Sequence, residues 1–269
     1  MNFLVLLLVG MVLLWSPWHT GFPRDLLRDW VQRTARVGKG WSTLMAGLAL
    51  LLPLGLLLWL VQGVAYGVFT LLLHVALLLC CVGRHDPLRS MSADFLSAWE
   101  RGDQAAAALV AEQQLGVTGD QDEGLLAQVR SRMVALSLQD YFVPAFWYLL
   151  LGPLGALGYR LLELLRQQWG HSASHPAGIL VHALEWIPAR LLALSFALVG
   201  QFDSTLRTLR SMAAEWEVSA GELVTHCARA ALLEEPVGPG TGVLKATRQL
   251  LLRAILAWAV IIAFVSVLG

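Results

Sequence analysis

Residues 140–201 read DYFVPAFWYLLLGPLGALGYRLLELLRQQWGHSASHPAGILVHALEWIPARLLALSFALVGQ. Two apolar runs here are each interrupted by proline, at Gly152-Pro153 and at Pro188. Both hold ionisable residues at or near membrane depth. Arg160 and Glu163 stand beside the first, and His182, Glu185 and Arg190 lie in the second. A charged side chain in mid-bilayer costs several kcal/mol, so apolar runs that keep such residues are site candidates. His182 and Glu185 are three positions apart and share a helical face. Pro188 suits the first turn of a new helix, which predicts a kink between Trp186 and Arg190 across which Glu185 and Arg190 can pair. Two readings are open for this group. One is a structural ion pair inside a helix bundle; the other is an anionic-ligand site with Arg190 as the phosphate contact.

The remainder of the chain places these runs in a membrane. Of 269 residues, 57% are hydrophobic and 14% charged, against about 25% charged in a soluble domain; mean hydropathy is +0.63. Apolar segments fall at about 3–18, 44–61, 66–82, 141–159, 179–201 and 249–268. The run 44–82 carries no Asp, Glu, Lys or Arg, and a single helix over it would be about twice the hydrocarbon thickness. It therefore reads as two spans, with the turn at Gln62-Gly63 and Tyr66-Gly67. His74 within it reads as a hydrogen-bonded core histidine rather than a ligand. The N-terminus, MNFLVLLLVGMVLLWSPW, lacks the basic region and small-residue cleavage site of a signal peptide and reads as a retained first membrane helix.

Between the apolar segments lie polar ones. In 16–43, Leu26, Leu27, Trp30, Val31 and Val37 recur at helical spacing among arginines, the pattern of an amphipathic helix on a membrane surface. Residues 84–139 and 202–248 read as two helical regions that pack into one cap. The first contains a helix over about 92–114 and a second opened by Asp120 and Glu123 in the manner of a capping box. In the second, Asp203 can cap one helix and Ser219 with Glu222 caps another. Nearly all Lys and Arg residues fall in 16–43, 84–132 and 207–253. The positive-inside rule then places these regions in the cytoplasm and both termini in the periplasm. For 141–159 two topologies stay open: a full span, or a segment that turns back at Gly152-Pro153.

Several chemistries lack their pattern. No CxxC spacing joins Cys80, Cys81 and Cys227, so neither a disulfide frame nor a metal site is expected. The loop Gly238–Gly242 with Lys245 fails the spacing of a phosphate loop, and no strand precedes it. No Ser-His-Asp or H-E-x-x-H arrangement is present, and nothing resembles a nucleic-acid surface. Tyr141 beside Asp140, near Arg130 and Arg132, fits interfacial anchoring.

The stretches FVPAFWYLLLGPLGALGYR at 142–160 and LEWIPARLLALSFALV at 184–199 resemble the CobD/CbiB family of membrane synthases from cobalamin assembly. The closer resemblance is to its AmpE branch, in chain length, in the AFW stretch and in an LxW[IV]PxR element. Synthases of this family carry acidic and amide clusters around these motifs. Here the corresponding positions hold Ala135, Leu136 and Gln139, then Glu163 and Arg166, then Val181, His182 and Glu185.

The resemblance implies an all-α, polytopic helical membrane protein with two broken or re-entrant segments and a small cytoplasmic helical cap. It implies a regulatory protein of the bacterial inner membrane, linked to β-lactamase induction and cell-wall recycling, without catalytic residues or a cofactor. A pocket for a lipid or amphipathic anionic ligand would be lined by Tyr141, Arg160, Glu163, His182, Glu185 and Arg190. Partners would be membrane lipid, a cell-wall-recycling or signalling protein, and a second copy in a homodimer. An active amide-forming synthase and a transporter are the alternatives.

Overall fold

A computed structural model describes residues 2–15, 26–36, 40–61, 67–81, 90–117, 123–169, 175–232 and 242–268. Among these residues the chain is helical, with no strand. The helices are α1 (Asn2–Trp15), α2 (Leu26–Ala35), α3 (Trp41–Leu48), α4 (Leu51–Val61), α5 (Val68–Cys81), α6 (Ser90–Glu100), α7 (Gln104–Val110) and α8 (Glu123–Ser137). They continue as α9 (Val143–Leu151), α10 (Pro153–Trp169), α11 (Pro176–Val199), α12 (Phe202–Met212), α13 (Ala220–Ala231) and α14 (Gly242–Leu268). Short π-helical turns at Ala111–Leu115 and Leu138–Phe142 follow α7 and α8.

Polarity is inverted relative to a soluble protein. Leu52 is 77% exposed and Leu198 67%, while Glu163 and Glu185 are buried at 2% and 3%. Leucine outside and carboxylate inside is stable only where the surrounding solvent is hydrocarbon. Four stretches are long and apolar enough to cross a membrane: Trp41–Val61, Gly124–Leu151, Pro176–Val199 and Gly242–Phe264. The chain is a polytopic helical membrane protein.

It forms two compact units. The first comprises residues 1–84, 140–185 and 265–269. Its centre is α10, which packs on α2, α3, α4, α5 and α9, so Leu161, Leu162, Leu164 and Leu165 are all buried. Helix α2 buries Leu27 and Val31, leaves Arg28, Arg33 and Arg36 exposed, and is pinned by the Trp30 indole donating to the Gly47 carbonyl at 3.1 Å. Gly47 lies so close to Leu165 that a Cβ there would meet its Cδ1 at 2.8 Å. The apolar run 44–82 divides into helices ending at Val61 and restarting at Val68, as expected, although Gln62–Tyr66 lie outside the described residues. His74 Nδ1 sits 3.1 Å from the Tyr148 hydroxyl, a packed histidine as its setting predicts.

The second unit comprises 85–139 and 186–264. The two polar stretches do pack together. Phe95, Ala107, Leu115, Leu125 and Val129 form one core with Leu244, and α13 lies against α8 and α12. Ser219 caps α13 by accepting from the Glu222 N–H at 3.2 Å. The last carbonyls of α13 are met from the start of α12: the N-cap Gln201 N–H donates to Ala231 and Ser204 Oγ, in the first turn, to Ala230. Helix α14 joins α11 through Trp258 Nε1, which donates to Ser195 Oγ at 2.8 Å.

Three expectations are corrected. The helix over 92–114 is interrupted: Gly102 takes a φ of +75°, and Asp103 starts α7 by accepting from the Ala106 N–H. Glycine followed by an N-capping aspartate is a stop-and-restart signal within the sequence itself. Asp203 is not a cap, because Gln201 occupies that position and Asp203 lies in the first turn of α12. No new helix begins at Pro188, which sits inside a continuous α11. The Asp120 cap and most of the Gly238–Gly242 loop lie outside the described residues.

Candidate functional site

Tyr159, Glu163 and Arg166 follow one another at i, i+4 and i+7 on α10, one stripe of a helix. The stripe faces Glu185 of α11. The Tyr159 hydroxyl donates to Glu185 Oε1 at 2.8 Å. Arg166 Nη2 donates to Glu163 Oε1 at 2.9 Å, and its Nε lies 2.8 Å from Glu163 Oε2. The same Nη2 is 3.8 Å from Glu185 Oε1. Gln167 adds a bond to Glu163 Oε1 at 3.1 Å. Two buried carboxylates thus share one guanidinium, as desolvated charges require.

Beside this network, Arg160 Nη1 donates to Asp140 Oδ1 at 3.2 Å. The pair reveals the path of the chain. Twenty residues of straight helix would separate these positions by about 30 Å. They meet because the backbone reverses at Gly152, whose φ of 69° and ψ of −161° suit glycine almost alone. Helices α9 and α10 therefore form a hairpin. The break expected at Gly152-Pro153 is present, and 141–159 is not one continuous helix; the turned-back form is the one adopted.

Pro188 leaves the Leu184 carbonyl without its helical donor, because proline has no N–H. The Trp147 indole N–H supplies the bond at 3.1 Å. This is why α11 runs through the proline unbroken.

The six residues expected to line a pocket are divided. Glu163 and Glu185 belong to the Arg166 network, and Arg160 pairs with Asp140. Tyr141 lies half-buried in the π-helical turn after α8, and His182 half-buried on α11. Arg190 belongs to the second unit. Its Nε donates to the Ala213 carbonyl at 2.8 Å, Nη1 to Trp186 at 2.9 Å and Nη2 to Glu215 at 3.3 Å. Its guanidinium carbon stands 3.7 Å from the centre of the Trp186 ring. So Glu185 and Arg190 each have other partners in place of the pairing expected between them. Tyr159, Arg166 and Asp140 were absent from the expected site, although the i, i+4, i+7 spacing of α10 was available to find the first two. No group of three metal-ligating side chains is assembled among the described residues.

The arrangement holds Glu163 and Glu185 in a paired, desolvated state. The family described as "Regulatory signalling modulator protein AmpE" matches residues 6–269. The chain belongs to the AmpE family. Among curated relatives, Protein AmpE of Shigella flexneri is 28% identical over 228 residues, covering 80% of each chain. Cobalamin biosynthesis protein CobD of Stutzerimonas stutzeri is 29% identical over 193 residues, 67% of this chain and 62% of that protein. A second CobD, from Chromobacterium violaceum, is 32% identical over 106 residues, 37% of this chain and 34% of its own. No solved structure matches. The AmpE membership thus extends over nearly the whole chain, and the CobD likeness is a more distant one.

Proposed function

We propose that this AmpE-family protein is a non-catalytic regulator in the bacterial inner membrane, acting in β-lactamase induction and cell-wall recycling through a signalling partner. Sixteen of its positive charges would face the cytoplasm and both termini the periplasm. The observation that carries the reading is the state of the acids. Glu163 and Glu185, which stand where the synthases have part of their polar clusters, are buried and share Arg166. A general base or metal ligand must be able to release its counter-charge, and this network holds both carboxylates in place. Tyr141, Arg160, Glu163, His182 and Glu185 of the first unit would then serve to bind and transmit rather than to react, with an anionic amphipathic ligand as the signal, while Arg190 stands in the second unit.

The test is deletion of the gene in its host, followed by measurement of β-lactamase activity after exposure to an inducing β-lactam. Loss of normal induction, restored by the wild-type chain, supports the regulator. Unchanged induction in the deletion strain overturns it, as does ATP-dependent amide formation by the purified protein that Glu185→Gln abolishes.

A further inference from the structure

The contacts of the second unit form a ring, and α14 is one of its sides. Leu244, near the start of α14, is buried in the cap core with Phe95, Leu125 and Val129. Beside it Lys245 Nζ pairs with Glu100 at 2.8 Å. From this core the ring passes through α8 to α13, where Thr225 Oγ1 donates to the Ser131 carbonyl at 3.4 Å, and from α13 to α12. Arg190 ties the loop after α12 to α11 through the Ala213 and Glu215 carbonyls. The ring closes at Ser195. Its buried hydroxyl donates to the Leu191 carbonyl of its own helix at 2.9 Å and accepts from the Trp258 indole of α14 at 2.8 Å.

Between its two ends α14 is stiff. From Leu244 to Trp258 it rises about 21 Å. No glycine or proline falls between Val243 and Leu268, so the usual causes of a kink are missing. Thr247, Leu250, Leu251 and Ala254 are all buried and form one packed stripe along the inner face. Packed interiors have low compressibility and transmit strain. We infer that α14 is a coupling rod: a shift of α11 against α14 at the Ser195–Trp258 contact reaches the cap core around Leu244. Both α11 and α14 belong to membrane-crossing stretches, so the rod joins those stretches to the cap. Its use in signalling rests on the regulator reading. The coupling does not, and it is measured without a ligand.

The test is amide hydrogen exchange, read by mass spectrometry on the full-length protein in detergent. Ser195→Ala and Trp258→Phe remove the same bond. Each is expected to speed exchange about threefold in α8 and at the start of α14, far from the substitution. The double variant is expected to add nothing further. A glycine hinge, Leu252→Gly with Arg253→Gly, is expected to abolish the response of the cap to Trp258→Phe, measured against the hinge variant alone. Leu256→Ala, on the exposed outer face of the same part of α14, is expected to leave the cap unchanged. Melting curves exclude variants that fail to fold, and Ser195→Ala, the smaller change, then carries the test. Faster exchange confined to the turns around 195 and 258 overturns the proposal. So does a cap response that survives the hinge or that Leu256→Ala reproduces. Coupling in a protein whose deletion leaves induction unchanged keeps the rod and removes the regulator.

Discussion

The Trp147 indole N–H donates to the Leu184 carbonyl, the one acceptor that Pro188 leaves open one turn later in α11. The contact joins the α9–α10 hairpin to α11 and makes the proline tolerable. Trp147→Phe removes the donor and keeps most of the ring packing. It should destabilise the protein by about 1–3 kcal/mol, the cost of an unmet buried carbonyl. Pro188→Ala restores a backbone N–H to the same oxygen. In that background Trp147→Phe should cost much less, and a double-mutant cycle of unfolding in detergent measures the coupling. Strict additivity of the two changes would contradict the account.

Arg166 is the shared counter-charge of Glu163 and Glu185. Arg166→Met should be severe, about 3–5 kcal/mol, because it strands buried carboxylates. Glu163→Gln keeps the shape and the two bonds accepted at Oε1, and sets an NH2 against the Arg166 Nε–H at the other oxygen. It should be milder because no buried charge is stranded on α10 without Arg166. Thermal unfolding of both variants, followed by protease susceptibility, would show the asymmetry.

Gly152 and Gly158 offer a comparison within α9–α10. Ala at Gly152 must adopt a φ of 69°, which should destabilise by about 1–3 kcal/mol. A Cβ at Gly158 meets only Leu51 at an ordinary 3.6 Å, so Ala there should be neutral or gain up to about 1 kcal/mol in helix propensity. Melting temperatures of the two variants should move in opposite directions or by clearly different amounts.

Burial pushes the Cys227 thiol up to about 11, from an ordinary value of 9.0. Its thiolate is therefore scarce at neutral pH. A maleimide should leave Cys227 unmodified at pH 7.5 until the protein is unfolded, as peptide mapping would report. The group binds its proton more tightly when folded. Its contribution to stability is thus complete below pH 9 and lost as pH rises towards 11, and Cys227→Ala should flatten the alkaline decline in unfolding midpoint over that window.

Much of this architecture can be read from local pattern. The apolar runs, the Ser219 cap and the amphipathic α2 depend on residues within one or two turns of each other. The hairpin was half legible: Gly152-Pro153 marks a break, but only the meeting of Asp140 with Arg160 shows that the chain reverses there. Pro188 misled because its cost is cancelled by Trp147, which lies 37 positions before the Leu184 carbonyl it satisfies. Arg190 misled in another manner. A lone arginine in an apolar run suggests a ligand, and here backbone carbonyls at Ala213 and Glu215 take its donors. Neither partner leaves a trace in the periodicity of α11.

The Asp140–Arg160 pair also sets a timetable for synthesis. Asp140 emerges from the ribosome 20 residues before its counter-charge. At about 5–20 residues per second, that is a wait of about one to four seconds. Until then the ion pair that ties the foot of α9 to α10 cannot form, so the hairpin is closed by its second arm and not by its first.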